Sequence, residues 1–119
     1  GWADIEYGLF INNNANKMTF QISNNGGTGT TITSTTSVND SAWHHIACTR
    51  LGNRFDLYID GASEANASQA ITIRDGATTL SIGGESDATN MYTGWLDEVR
   101  ISNVARWDAN FTPPSAPYP

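Results

Sequence analysis

The sequence predicts an all-β, antiparallel domain, and three observations carry that reading. Residues 41–61, SAWHHIACTRLGNRFDLYIDG, form one β-hairpin: Ile46 and Cys48 share a parity on the first arm, and Phe55, Leu57 and Ile59 share one on the second. Between the arms lies Gly52-Asn53, a pair that tolerates the positive φ that tight hairpin turns require. Short β-type runs bounded by Asn, Gly and Ser clusters recur along the rest of the chain. Finally, 39% of the residues are hydrophobic and only 15% charged, with Thr, Ser, Asn and Gly dominating the remainder, a balance that suits strands and polar turns.

The elements follow in order. Residues 7–11 and 17–22 are two short strands separated by Asn12-Asn13-Asn14-Ala15-Asn16, and their hairpin puts Met18, Phe20 and Ile22 on one face. Residues 24–29 turn, and residues 30–38 form a threonine-rich strand with Ile32 and Val38 as its apolar anchors. Asn39-Asp40-Ser41 leads into the central hairpin, which Asp60-Gly61 closes with another strong turn signal. Residues 62–70 are small and polar and suit a short edge strand or an irregular crossover. Ile71 and Ile73 alternate before the Arg74-Asp75-Gly76 turn, Leu80 and Ile82 anchor a short strand ending at Gly83-Gly84, and residues 85–92 are a polar loop. Residues 93–102 read as the last strand and residues 103–109 as a helical turn. Pro113, Pro114, Pro117 and Pro119 make residues 111–119 an extended tail or linker, so the folded unit is placed at residues 1–110.

Several of these runs resemble the laminin G-like, concanavalin A-like lectin/glucanase jelly-roll family. The family carries a Trp-His-His-apolar strand followed by Leu-Tyr-apolar-Asp-Gly, here Trp43-His44-His45-Ile46 and Leu57-Tyr58-Ile59-Asp60-Gly61. Leu80-Ser81-Ile82-Gly83-Gly84 and Gly94-Trp95-Leu96-Asp97-Glu98-Val99-Arg100-Ile101 match it as well, so the resemblance spans about residues 42–107. It implies an antiparallel β-sandwich of jelly-roll type. Relatives carry further strands before the segment corresponding to residues 7–22, so the expectation is a jelly roll lacking N-terminal strands, completed by a longer parent or another chain, or reduced in itself. A start at Gly1 suits a fragment or a processed piece. The run Arg-Ile-Ser-Asn-Val-Ala-Arg at residues 100–106, with Asn-Phe-Thr-Pro-Pro after it, resembles modules of large secreted bacterial proteins and of phage tails or fibres, which implies an extracellular or virion setting.

Charge and motif content narrow the function. The chain has 119 residues, enough for one domain, and a net charge of −6 with a single lysine. Nucleic acid and anionic membrane surfaces are therefore poor partners, since phosphate binding needs a basic stripe. No run approaches the ~20 apolar residues of a membrane span. Cys48, the lone cysteine, excludes an internal disulfide and reads as a buried thiol. His44 and His45 are strand neighbours that point to opposite faces and cannot both ligate one ion from regular geometry.

Asp97 shares parity with Trp95, Val99 and Ile101, which puts a carboxylate on the buried face of its strand, paired, hydrogen-bonded or bound to a cation. Glu85 and Asp87 offer alternating oxygens in the polar loop, so calcium is the candidate cofactor, with Asp97, Asp87 and Glu85 as ligands, against the alternative of a solvated acidic loop. Catalysis is not expected: Glu85-Ser86-Asp87 alternates as a glycosidase pair would, but it follows Gly83-Gly84, a poor platform for carboxyls that retaining hydrolysis holds about 5 Å apart. Glycan binding needs only exposed rings beside amides and hydroxyls, for which Tyr58, Tyr92, Trp107 and Asn90 are the candidates, weighed against aromatic core or edge cover. The reading is a non-catalytic module that binds a surface glycan in recognition or adhesion. Its alternative is a structural module docked on a neighbouring protein subunit, in a homo-oligomer or a larger assembly such as a virion.

Overall fold

The computed structural model describes residues 6–12, 15–24, 27–73, 75–77, 79–85, 88–117 and 119. Six strands form: β1 (Tyr7–Asn12), β2 (Lys17–Asn24), β3 (Gly27–Ser37), β4 (Ile46–Leu51), β5 (Arg54–Ile59) and β6 (Ala62–Ser68). They make two antiparallel meanders, β1-β2-β3 and β4-β5-β6, with β3 lying against β5 and β6. No helix forms among the described residues, and the helical turn expected over residues 103–109 is instead a series of bends.

Both expected hairpins are present. In the first, Ile11 pairs with Met18 and Leu9 with Phe20, and the chain reverses through Asn16 at φ 53. In the second, Leu51 pairs with Arg54 across Gly52-Asn53, and of that pair only Gly52 takes positive φ, at 61°. Ile59 pairs with Ala62 across Asp60-Gly61, where both residues are left-handed, at φ 51 and 82, as a type I′ turn demands. That tight turn makes residues 62–68 the edge strand β6 and not a crossover.

The core sits between the meanders. Met18 and Ile22 of β2, Ile32 of β3, and Phe55, Leu57 and Ile59 of β5 are buried together with Ile71, and Phe20, Val38, Ile46 and Cys48 pack partly against them. Burial raises the Cys48 thiol far above its ordinary pKa, which leaves it a small apolar filler. Polar groups on the core side of β3 are satisfied locally: Ser34 Oγ accepts from the Met18 N–H, and the Thr30 hydroxyl donates to Gln69 Oε1. Glu64 ties β6 to β3, its carboxylate accepting from the Thr35 and Thr36 N–H groups at 2.9 and 2.8 Å and from both hydroxyls.

The expected strands at residues 80–82 and 93–102 do not form. Glu98 stands at φ 53, a left-handed residue in the middle of the expected strand that ends its alternation, and among the described residues no strand pairs with the segment. Asp97 is therefore exposed and not on a buried face, and its carboxylate accepts from the Glu98 N–H at 2.8 Å. Trp95 is 83% exposed, and Leu96, Val99 and Ile101 are exposed as well.

Candidate functional site

Polar and aromatic chemistry concentrates where the central hairpin closes. The Ile46–Ile59 pairing sets the Asp60-Gly61 turn beside the histidine pair. His44 Nδ1 lies 2.8 Å from Asp60 Oδ2, and Nε2 lies 3.0 Å from Asp40 Oδ1. The other Asp60 oxygen accepts the His45 N–H at 2.8 Å, while the Asp60 N–H donates to the His45 carbonyl. Its hydrogen bonds to Asp60 and then Asp40 raise the His44 pKa, so the site favours the imidazolium between two carboxylates. Desolvation works to raise Asp60, but its bonds to His44 and His45 outweigh it and leave the carboxyl below its ordinary value.

His45, just before β4, has different neighbours from His44. Its ring meets Trp107 edge-on at 5.6 Å and Phe111 at 5.5 Å. Desolvation first of all lowers its pKa, so it is a neutral ring in an aromatic cluster. Residues 107–111 run as a strap over His45, Tyr58 on the outer face of β5, and the turn and start of β6 at Gly61 and Ser63. Phe111 stacks on Trp107 at 3.9 Å, meets Tyr58 at 5.4 Å, and donates its N–H to the Gly61 carbonyl at 2.9 Å. Asn110 Oδ1 accepts the Ser63 N–H. A Cβ on Gly61 would overlap the Phe111 carbonyl oxygen, so glycine serves both the turn and the strap. Beneath it Asp56 is buried and bound in parallel by Arg54 Nε and Nη2, each at 2.8 Å.

The loop at residues 83–92 is a second polar cluster. It closes through Tyr92 N–H to the Gly83 carbonyl at 2.8 Å, and Glu85 accepts from Asn90 Nδ2 at 2.7 Å and from the Thr89 hydroxyl at 3.3 Å. Both are exposed, as is Tyr92.

The model of the concanavalin A-like lectin/glucanases superfamily, laminin G type, matches residues 2–110. The chain belongs to this family. A crystal structure of residues 221–444 of an S-layer domain-containing protein from Clostridium thermocellum is similar to this laminin G-like chain, at 24% identity and a TM-score of 0.46. The match covers 82% of this chain and 56% of that one. No curated protein matches.

Within this laminin G-like domain the expected site residues fall in separate places. Tyr58 does lie on the parity opposite Phe55 and Leu57, but it is 0% exposed because the strap covers it, and it offers no ring to a ligand. Trp107 has Phe111 against one face and the Arg106 guanidinium 5.6 Å from its ring, so it is part of the strap and not an open platform. Asn90 and Glu85 do come together, and Tyr92, 43% exposed, is the remaining accessible ring of the expected set. Asp87 lies outside the described residues.

Of the expected calcium ligands, Glu85 and Asp97 lie among the described residues and Asp87 does not. Both Glu85 oxygens and Asp97 Oδ1 accept internal hydrogen bonds, and no cluster of three or more acidic, histidine or cysteine side chains able to hold a metal is found among the described residues. Asp40 and Asp60 bind opposite edges of one imidazole and so do not converge on a point. Sequence reasoning passed over both, and Glu64 too. The signal for Asp60 was available in the hairpin register, which sets the first turn residue after Ile59 against the residue before Ile46.

Proposed function

We propose that this laminin G-like domain is a non-catalytic binding module of an extracellular assembly, and that it docks on a neighbouring protein subunit through the apolar segment at residues 95–104. The observation that carries this reading is exposure: Trp95, Leu96, Val99, Ile101 and Val104 all lie open within ten residues of chain. Exposed apolar side chains grouped in this way mark interaction surfaces, whereas single ones need no explanation. The segment also has strand-forming composition, and β1 and β4 are the outer strands of their three-stranded sheets as described.

Light scattering over a concentration series tests the reading, with a second copy as the first partner to try. Association expected of the natural chain should weaken at least tenfold in the Trp95→Ser, Val99→Ser double variant, since about 1.5–3 kcal/mol accompanies each large apolar side chain fully buried. A monomer at every concentration, indifferent to both substitutions, would count against self-docking.

A glycan is the second reading, favoured by one observation: the exposed Tyr92 ring stands in the same loop as Asn90, Thr89 and Glu85. A sugar face on that ring with hydrogen bonds to the loop is the chemistry available. Binding on a glycan array that vanishes in Tyr92→Ala and survives Trp95→Ser would move the proposal to this loop.

A further inference from the structure

We propose that the charge on His44 governs the docking of residues 107–111 over His45, Tyr58 and the Asp60-Gly61 turn: the strap is latched while both ring nitrogens carry protons and loosens when the ring becomes neutral. The geometry requires two donors. His44 Nδ1 faces Asp60 at 2.8 Å and Nε2 faces Asp40 at 3.0 Å, and a carboxylate only accepts, whereas a neutral imidazole has one N–H and one lone pair. On deprotonation one ring nitrogen turns its lone pair toward a carboxylate oxygen. Whichever tautomer forms, one of the two hydrogen bonds is lost, and the surviving one keeps its charged acceptor but no longer has a charged donor.

Asp60 transmits the change. It holds His44 through one carboxylate oxygen and the His45 N–H through the other, and it sits left-handed in the turn whose next residue, Gly61, accepts the Phe111 N–H. The ring of His45, the residue whose backbone that bond holds, meets both Trp107 and Phe111 edge-on. Loosening Asp60 therefore acts on the strap through its backbone anchor and its aromatic seat together. Asp40 from the loop before β4 and Asp60 from the turn after β5 are the charged groups facing the ring, and His45 beside it shares Asp60. The environment of His44 favours the proton and that of His45 disfavours it, so the two histidines divide the roles of switch and seat.

Amide hydrogen exchange, corrected for intrinsic rates, reads the latch at Phe111 against Leu57 of the core from about pH 5 to about pH 9, the range over which histidine charge changes. Protection of the Phe111 amide should fall about tenfold relative to Leu57 as His44 loses its proton, the size expected for losing one hydrogen bond to a charged group. His44→Gln, which cannot titrate, should abolish the pH dependence. Should that variant fail to fold, Asp40→Asn lowers the pH at which His44 titrates, followed by its ring NMR shifts, and the loss at Phe111 must move with it. A Phe111-to-Leu57 ratio that stays flat through the His44 titration, or the same pH dependence in His44→Gln, overturns the proposal.

Discussion

Asp60 shows how much one side chain can organise: it bonds His44, holds the His45 backbone and turns the chain at φ 51. Its pKa and that of Asp40 are held below 3.8, so their contribution is present above that value and is lost as pH falls through the lowered ones. His44 is raised above 6.5, so its contribution is complete below 6.5 and is lost as pH rises through the raised value. Between those limits the clamp is fully formed. Glu64 adds to the acid side. Desolvation pushes its carboxyl up, the Thr36 and Thr35 hydrogen bonds more than offset this, and it stays below its ordinary 4.5. Glu64→Gln should cost about 1–2 kcal/mol near neutral pH, kept small because the group is partly solvated. The same variant should flatten the loss of stability below 4.5 in urea melts, and an unchanged acid limb would remove Glu64 from the account.

At the scale of elements, two glycines in the central sheet make a controlled comparison. Gly52 (φ +61) has open space where a Cβ would stand, so Gly52→Ala should cost only the left-handed strain, about 1–2 kcal/mol. Gly61 (φ +82) has the Phe111 carbonyl in that space, so Gly61→Ala should cost the same strain and also displace the strap. The difference is visible without a stability measurement. Gly61→Ala should expose Trp107 and Phe111 to solvent, read as increased quenching of tryptophan fluorescence by iodide, while Gly52→Ala leaves quenching unchanged. Equal behaviour of the two variants would mean that the strap does not depend on the turn.

For the whole molecule the core is lopsided. Phe55, Leu57 and Ile59 are sealed between the sheets, whereas Tyr7 and Leu9 at the β1 edge and the apolar residues of 95–104 are open. Burial of apolar surface is the main driving force of folding, so a domain that leaves this much exposed gains further stability from whatever covers it. The melting temperature should therefore rise with protein concentration and stop doing so in the Trp95→Ser, Val99→Ser variant, as calorimetry would show. Millimolar calcium tests the expected Glu85, Asp87 and Asp97 ligands, and an unshifted midpoint would remove them from the account. An upward shift that chelator reverses and Glu85→Gln abolishes would restore a cation to the loop.

The alternation of Met18, Phe20 and Ile22 and of Phe55, Leu57 and Ile59, with Gly-Asn and Asp-Gly between arms, was enough to determine the hairpins and their buried faces. These are local properties: side-chain period and turn chemistry act within a dozen residues. The family was also legible, through the ordered runs at residues 43–46, 57–61, 80–84 and 94–101. Partners distant in the chain were decided only by tertiary structure. Parity put Tyr58 on the outer face, but whether that face meets water depends on a strap some fifty residues later. Likewise the pattern at residues 93–102 expresses a preference for strand, and a strand exists only where another edge supplies its hydrogen bonds. Asp60, ordinary in a turn by sequence, became the centre of the molecule's polar chemistry because hairpin register and loop geometry placed His44 against it.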